Sequence, residues 1–305
     1  MYAPKYYKSF SCIAGKCTHS CCVGWEIDID RETLEKYEAL KGGYGENIIK
    51  SIDTEDTPHF RLRENERCPH LDRAGLCKII LSLGEDYLCD ICREHPRFYN
   101  YSPRGLEVGL GMACEEACRL IISSDGYAEF EDIDGEDAYF DENGFDTVSE
   151  RKRIYDILSD RKTPYEERIK IICREYEIDL LSCENAVKDL IFGMEYLDGK
   201  SRELFSKYSA DIGTPKNFEE ALERIFAYFI FRHCTEARDK EEYRASLGMC
   251  AVLERLVASV IKYGEKEVSD AARTVSEEIE YSEDNTNSLI SLFFSGGRTK
   301  CLTAK

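Results

Sequence analysis

"YRASLGMCAVLERLVASVIKYG", residues 243–264, decides the fold. Apolar side chains recur three and four residues apart along it and few charges interrupt them, which predicts a helix buried on nearly every side. "FEEALERIFAYFIFRHCTEAR", residues 218–238, repeats the pattern. Two buried helices of this length need other helices around them, which implies a helical bundle. Just upstream, "SERKRIYDILSD" (149–160) reads as a Ser-capped helix, and Pro164 stands where a helix through "YEERIKIICREY" (165–176) would begin. Neither an internal repeat nor an alternation of strands with helices is visible. The expected fold is mainly α: an irregular cysteine-rich, metal-binding N-terminal region packed on a C-terminal helical bundle.

Nearer the N-terminus the signals are shorter. "WEIDID" (25–30) alternates apolar and acidic residues, as in a short strand or extended lead-in. Asp30 is placed to cap a helix through "RETLEKYEALK" (31–41), with Gly42 and Gly43 ending it. "KIILSLGEDYL" (78–88) has helical apolar spacing interrupted at Gly84, and "EHPRFYNYSPRG" (94–105) is turn-rich. "SDGYAEFEDIDGEDAYFDENGFD" (124–146) is dense in acidic residues and glycine, the composition of a solvated connector. Three regions follow: cysteine-rich 1–122, an acidic connector 123–149 and a helical domain 150–305.

Apolar residues make up 43% of the 305, enough for a sizeable core. No apolar run approaches the roughly 20 residues a membrane span needs. "MYAPKYYKSF" lacks the apolar core of a secretory signal, so a cytoplasmic location is expected. The net charge of -19, from 41 basic and 60 acidic residues, argues against non-specific nucleic-acid binding. It suits a lysine-bearing partner, although the plainer reading is simply an acidic surface that favours solubility.

Fifteen cysteines are present, ten of them in the first 118 residues. Disulfide frameworks belong to small secreted domains, and an odd count forbids complete pairing within the chain. Clustered cysteines in a cytosolic chain more often bind metal or do redox chemistry. The spacings are C-x4-C-x3-C-C, then C-x8-C-x11-C-x2-C, then C-x3-C. Thiolate is a soft ligand for zinc, copper(I) and iron–sulfur clusters. Only Cys89 and Cys92 form a C-x-x-C, whereas a zinc ribbon pairs two such knuckles. Spacing therefore favours a metal over core packing without choosing between zinc and a cluster. Cys21 and Cys22, being adjacent, cannot easily point at one atom from a regular helix or strand. His19, His70 and His95 lie among these cysteines as ligand or supporting candidates, read first as ordinary structural histidines. Trp25, the lone tryptophan, reads first as core and second as a shield over a cluster. Gly105, Gly109 and Gly111 lack the spacing and context of a dinucleotide-binding loop.

"FSCIAGKCTHSCCVGWEI" (10–27), "CPHLDRAGLCKI" (68–79), "LGEDYLCDICREHPR" (83–97) and "GMACEEACRLII" (111–122) occur in that order. Together they resemble the flagellin lysine N-methylase family, related to cysteine-cluster proteins described as zinc- or iron-chelating. The resemblance covers roughly residues 9 to 122. It implies an S-adenosylmethionine-dependent protein-lysine N-methyltransferase acting on flagellin, with a [4Fe–4S] cluster held by N-terminal cysteines and zinc as the alternative metal. It further implies Cys12, Cys17, Cys21, Cys22, Cys68, Cys77, Cys92 and Cys114 as candidate ligands, more than one cluster needs. Cys89 and Cys118 rank below them. The family often has Cys-Pro-Glu where this chain has Cys114-Glu115-Glu116. A non-enzymatic metal chelator with a helical interaction domain is the alternative, but a bare chelator has no need of so large a C-terminal half. Neither a catalytic base nor a cofactor pocket can be assigned from the residues.

Overall fold

The computed structural model describes residues 1–133, 144–264 and 266–294. The middle of the acidic connector, 134–143, and Cys301 lie outside them. Along the chain run β1 (Tyr2–Pro4), α1 (Arg31–Ala39), α2 (Gly43–Lys50), β2 (Ile52–Asp53), β3 (His59–Phe60), α3 (Lys78–Leu83), α4 (Asp90–Glu94), β4 (Arg97–Ser102), β5 (Gly105–Leu110), α5 (Glu115–Ser123) and β6 (Phe130–Asp132). Then come α6 (Thr147–Leu158), α7 (Tyr165–Glu175), α8 (Leu180–Gly193), α9 (Gly199–Phe205), α10 (Glu219–Cys234), α11 (Lys240–Gly264), α12 (Val268–Val275) and α13 (Glu283–Phe293). The described residues are mainly helical, as expected, with a small sheet that the sequence reading did not foresee. None of these helices is long and apolar enough to cross a membrane.

The chain folds into two compact units. The helical unit comprises Met1–Phe10, Phe98–Ala113 and Ala117–Lys305, and the cysteine-rich unit comprises Ser11–Arg97 and Cys114–Glu116.

In the helical unit α11 is the central post. Every side chain from Tyr243 to Ile261 is buried, and α10, α12 and α13 pack around it. α10 contributes Leu222, Ile225, Phe226, Phe229, Ile230 and Phe231 to the same core. Each such side chain contributes about 1.5–3 kcal/mol through burial. α7 starts directly after Pro164, as its sequence suggested. α6 differs: its cap is Asp146, whose carboxylate accepts the Ser149 N–H at 3.0 Å, and Ser149 lies inside the helix.

The stretch read as turn-rich instead forms a hairpin. β4 and β5 flank the turn at Pro103 and Arg104, where the Ser102 hydroxyl donates to Gly105 O at 2.9 Å and Gly105 takes a φ of 122°. They belong to a four-stranded sheet ordered β4-β5-β1-β6. β1 runs parallel to β5 with Tyr2 opposite Glu107, and antiparallel to β6 with Ala3 opposite Glu131. Glycine is required at 109 because a β-carbon there would run into Phe98 and, at 2.6 Å, Phe231. The two glycines at 109 and 111 thus serve packing within the helical unit.

The cysteine-rich unit is built from short elements over its own core of Ile27, Ile29, Tyr37, Ile48, Ile52 and Phe60. Asp30 caps α1 by accepting from Thr33 N at 2.9 Å, as the sequence predicted. "WEIDID" is extended, touching its neighbours through isolated bridges such as Asp28 with His59. Gly42 (φ 104°) and Gly84 (φ 96°) take left-handed conformations that glycine adopts freely, one leading into α2 and the other ending α3.

Candidate metal centre

Nine cysteines lie in the cysteine-rich unit, and three local devices place them. The first is a turn after Cys68. Leu71 N donates to Cys68 O at 3.1 Å, and His70 N lies 3.4 Å from Cys68 Sγ. Asp72 Oδ1 then accepts from Ala74 N and Leu76 N, both at 2.8 Å, so the chain reverses and a bridge sets Cys77 opposite Leu71. The second is the C-x-x-C turn: Cys92 N donates to Cys89 O at 3.0 Å. Tyr37 underpins it, donating to Tyr87 O at 2.6 Å with its hydroxyl 3.7 Å from Cys89 Sγ. The third is the pairing of residues 22–24 with 66–68. Cys68 N donates to Cys22 O at 2.9 Å, and Gly24 N donates to Glu66 O at 3.0 Å. Asn65 and Glu66 both take positive φ there, of 58° and 55°, a conformation that costs non-glycine residues about 1 kcal/mol or more each.

Cys68 and Cys89 are buried in the core of this unit, and Cys22, Cys77 and Cys92 pack against it. Cys12, Cys17, Cys21 and Cys114 stand outside that core, Cys12 and Cys21 being exposed. Burial pushes the Cys68 thiol up to about 12. In the pair Cys89–Cys92 the hydrogen bond between the two thiols lowers Cys89, with Tyr37 assisting. In the pair Cys21–Cys22 the same kind of bond favours the thiolate on Cys22, helped by Ser20 and by Arg67. Thiolate is the ligating form of cysteine.

The outer cysteines are tied by Glu115. Its Oε2 accepts from Thr18 N at 2.7 Å, Thr18 Oγ1 at 2.7 Å and His19 N at 3.1 Å, with Cys17 Sγ at 3.5 Å. Burial works against its charge, but these donors hold the carboxyl down at about 2. Gly15 seats the same loop on the 72–76 turn, since a β-carbon there would lie 2.6 Å from Ala74 O.

All eight cysteines named by the resemblance fall in this unit, together with Cys89, which ranked below them. Cys118 does not: its thiol donates to Ser269 O at 3.5 Å in the helical unit. His70 is buried with its Nε2 3.0 Å from Ser51 Oγ, a structural role. His19 stands beside Glu115, and His95 is half-buried at the end of α4. Trp25 is half-buried rather than core. Among the described residues no three His, Cys, Asp or Glu side chains converge closely enough to hold a single metal ion.

Two features escaped the sequence reading. A cleft of about 1050 Å³ is lined by Arg63, Arg67, Arg73 and Lys78 with Glu64 and Asp72. It is a basic spot on an acidic chain, signalled only by scattered cations around the Cys68 block. In the helical unit a π-helical turn, Ser276–Glu280, buries Glu280. Its carboxylate meets His233 Nε2 at 2.7 Å and Arg232 Nε at 3.5 Å. π-turns recur at functional sites, but here the charge is fully paired.

The chain is similar to three curated proteins. It is 28% identical over 133 residues to the flagellar biosynthetic protein FliU of Salmonella muenchen, covering 39% of this chain and 75% of that protein. It is also 28% identical over 133 residues to the lysine-N-methylases of Salmonella typhimurium and Salmonella choleraesuis, covering 39% of this chain and 32% of each. The chain thus spans about a third of the length of those two methylases. No protein-family model and no solved structure matches it. These relatives support the resemblance to the flagellin lysine N-methylase family.

Proposed function

We propose that this chain is a cytoplasmic protein-lysine N-methyltransferase that transfers a methyl group from S-adenosylmethionine to lysines of flagellin and carries a thiolate-bound [4Fe–4S] cluster. The observation that carries the reading is the similarity to two lysine-N-methylases and a flagellar biosynthetic protein, names that join lysine methylation to the flagellum.

The donor set fits a cluster. Such a cluster takes four thiolates, and the inner group offers Cys22, Cys68, Cys89 and Cys92, with Cys77 beside them. The His70 N–H near Cys68 Sγ is the kind of donor that tunes cluster sulfurs. When bound, the cluster would supply a redox-active core anchored by thiolates. Methyl transfer itself breaks a carbon–sulfur bond of the sulfonium as the carbon–nitrogen bond forms, and the lysine must shed its proton first. The acidic surface favours approach of the cationic lysine. Arg63, Arg67, Arg73 and Lys78 give the carboxylate of S-adenosylmethionine a charge partner in the basic cleft.

The test is incubation of the anaerobically loaded chain with methyl-labelled S-adenosylmethionine and flagellin, followed by mass mapping of lysines. Label on flagellin lysines supports the reading. A fully loaded chain that transfers none contradicts it and leaves the chelator as the better description.

A further inference from the structure

The basic cleft of the cysteine-rich unit carries more positive charge than its surroundings balance. Elsewhere in that unit cations sit on carboxylates: Arg31 meets Glu35 and Lys36 meets Glu32, both at 2.9 Å, and Arg61 meets Asp53 at 3.0 Å. Among the described residues, Arg63, Arg67, Arg73 and Lys78 form no ion pair, not even with Glu64 and Asp72, the carboxylates of the same lining. Asp72 is spent on the turn that reverses the chain, accepting from Ala74 N and Leu76 N. Even with both carboxylates counted, the lining keeps a surplus of two positive charges.

The backbone sets two of these cations side by side. Arg63 N donates to Arg67 O at 2.8 Å, and the two residues stand directly opposite each other in an antiparallel bridge. Residues so paired have their β-carbons about 4.5–5.5 Å apart on one face, where like charges repel. Asn65 and Glu66, at φ 58° and 55°, close the turn between them in a conformation that is costly without glycine. Apolar burial does not offset these costs, since residues 63 to 66 are all exposed. A bound anion does, because two adjacent guanidinium groups then grip it from one side.

We infer that this cleft is a binding site for a phosphate group, gripped by Arg63 and Arg67, with Arg73 and Lys78 completing the charge. A phosphate monoester carries about 1.5 to 2 negative charges at neutral pH and three acceptor oxygens, which matches the surplus. A single carboxylate, such as that of the methyl donor, leaves part of it unbalanced. Guanidinium forks also bind phosphate oxygens two at a time. The volume of about 1050 Å³ leaves room beside the phosphate for an organic body, so both a small monoester and inorganic phosphate fit. The inference does not rest on methyl transfer.

The test is titration calorimetry on the full chain, purified anaerobically, at low salt and at a pH above the second phosphate pKa of about 6. The probes are inorganic phosphate, a nucleoside monophosphate and acetate. Saturable phosphate binding with a Kd of about 1 mM or below is expected, with acetate about 10-fold weaker or more. Arg63→Gln and Arg67→Gln should each weaken phosphate about 10-fold or more, whereas Arg31→Gln, at an arginine already paired, should change it by less than about twofold. Should Arg67→Gln not fold by circular dichroism, since that guanidinium also donates to Asp72 O at 3.4 Å, Arg73→Gln replaces it. Phosphate should also raise the urea midpoint of the parent and barely move that of Arg63→Gln. Tighter binding of the nucleotide than of inorganic phosphate identifies an ester as the ligand, and equal binding identifies phosphate itself; either supports the site. No saturable binding, acetate bound as tightly as phosphate, or phosphate bound unchanged by the arginine variants overturns the inference. Phosphate binding without methyl transfer keeps this inference and loses the previous proposal, and methyl transfer without phosphate binding does the reverse.

Discussion

Glu115 Oε2 accepts both the backbone N–H and the hydroxyl of Thr18, each at 2.7 Å. The two residues are 97 apart in sequence, and their contact brings the N-terminal cysteine loop to Cys114. Glu115 is also where this chain departs from the Cys-Pro-Glu of the family it resembles. A proline there would have no carboxylate to offer Thr18.

Removing the clasp should loosen the outer thiols and spare the inner ones. In the metal-loaded chain Glu115→Ala is expected to raise the reactivity of Cys17 and Cys114 toward a thiol reagent about 10-fold or more, the size of effect seen when orienting groups are lost, with little change in metal release from the inner cysteines. Glu115→Gln keeps an acceptor for Thr18 and should fall between. Unchanged labelling of both thiols would show that the clasp does not position Cys17 and Cys114.

The close approach at Gly109 gives a stability prediction. Gly109→Ala forces a methyl group into Phe98 and Phe231 and should cost about 1–3 kcal/mol, read from the urea midpoint. A neutral result would mean that the two rings yield freely.

Arg151 and Glu107 form a buried two-pronged pair at 2.7 and 3.0 Å between α6 and β5. Arg151 also lies 4.5 Å over the Phe130 ring. Arg151→Met strands the Glu107 carboxylate and should cost about 3–5 kcal/mol, whereas Arg151→Met with Glu107→Leu should recover much of it. Equal losses in the single and double variants would contradict this account of the pair.

Glu280 supplies a pH signature. Burial opposes its charge, but Arg232 and His233 outweigh burial and hold its carboxyl below the ordinary 4.5. A carboxyl depressed on folding stabilises the native state above its unfolded value and loses that contribution as pH falls below about 4.5. Stability measured by urea titration should therefore decline more steeply below this pH in the parent than in Glu280→Gln. Parallel curves would remove Glu280 from the acid response.

What was legible rests on local signals. The apolar runs of α10 and α11 in the helical unit, and the Asp30 cap and the stop at Gly84 in the cysteine-rich unit, each act within a few residues. The β4–β5 hairpin was not legible: Pro103 and Gly105 announced the turn so strongly that the alternation through Phe98, Asn100 and Ser102 passed unread. Asp146 and Ser149 both offer capping oxygens, and only the backbone geometry chooses between them. The cysteine spacings pointed to a metal as the expected occupant. They could not disclose which thiols share a group, because Cys114 reaches Cys17 through Glu115 and Thr18, a contact made by folding. Cys89 ranked low because the resemblance does not call for a cysteine there; the core it joins, with the Tyr37 hydroxyl 3.7 Å from its sulfur, is seen only in the fold.

The central claim is that the metal-loaded chain methylates lysine on flagellin. The most direct measurement is the mass of flagellin lysines after incubation with deuterium-methyl S-adenosylmethionine, comparing anaerobically loaded parent, metal-stripped parent and loaded Cys22→Ser. The account predicts labelled methyl groups on lysines with the loaded parent and few or none with the other two. Unlabelled flagellin with a parent shown to be fully loaded would contradict it.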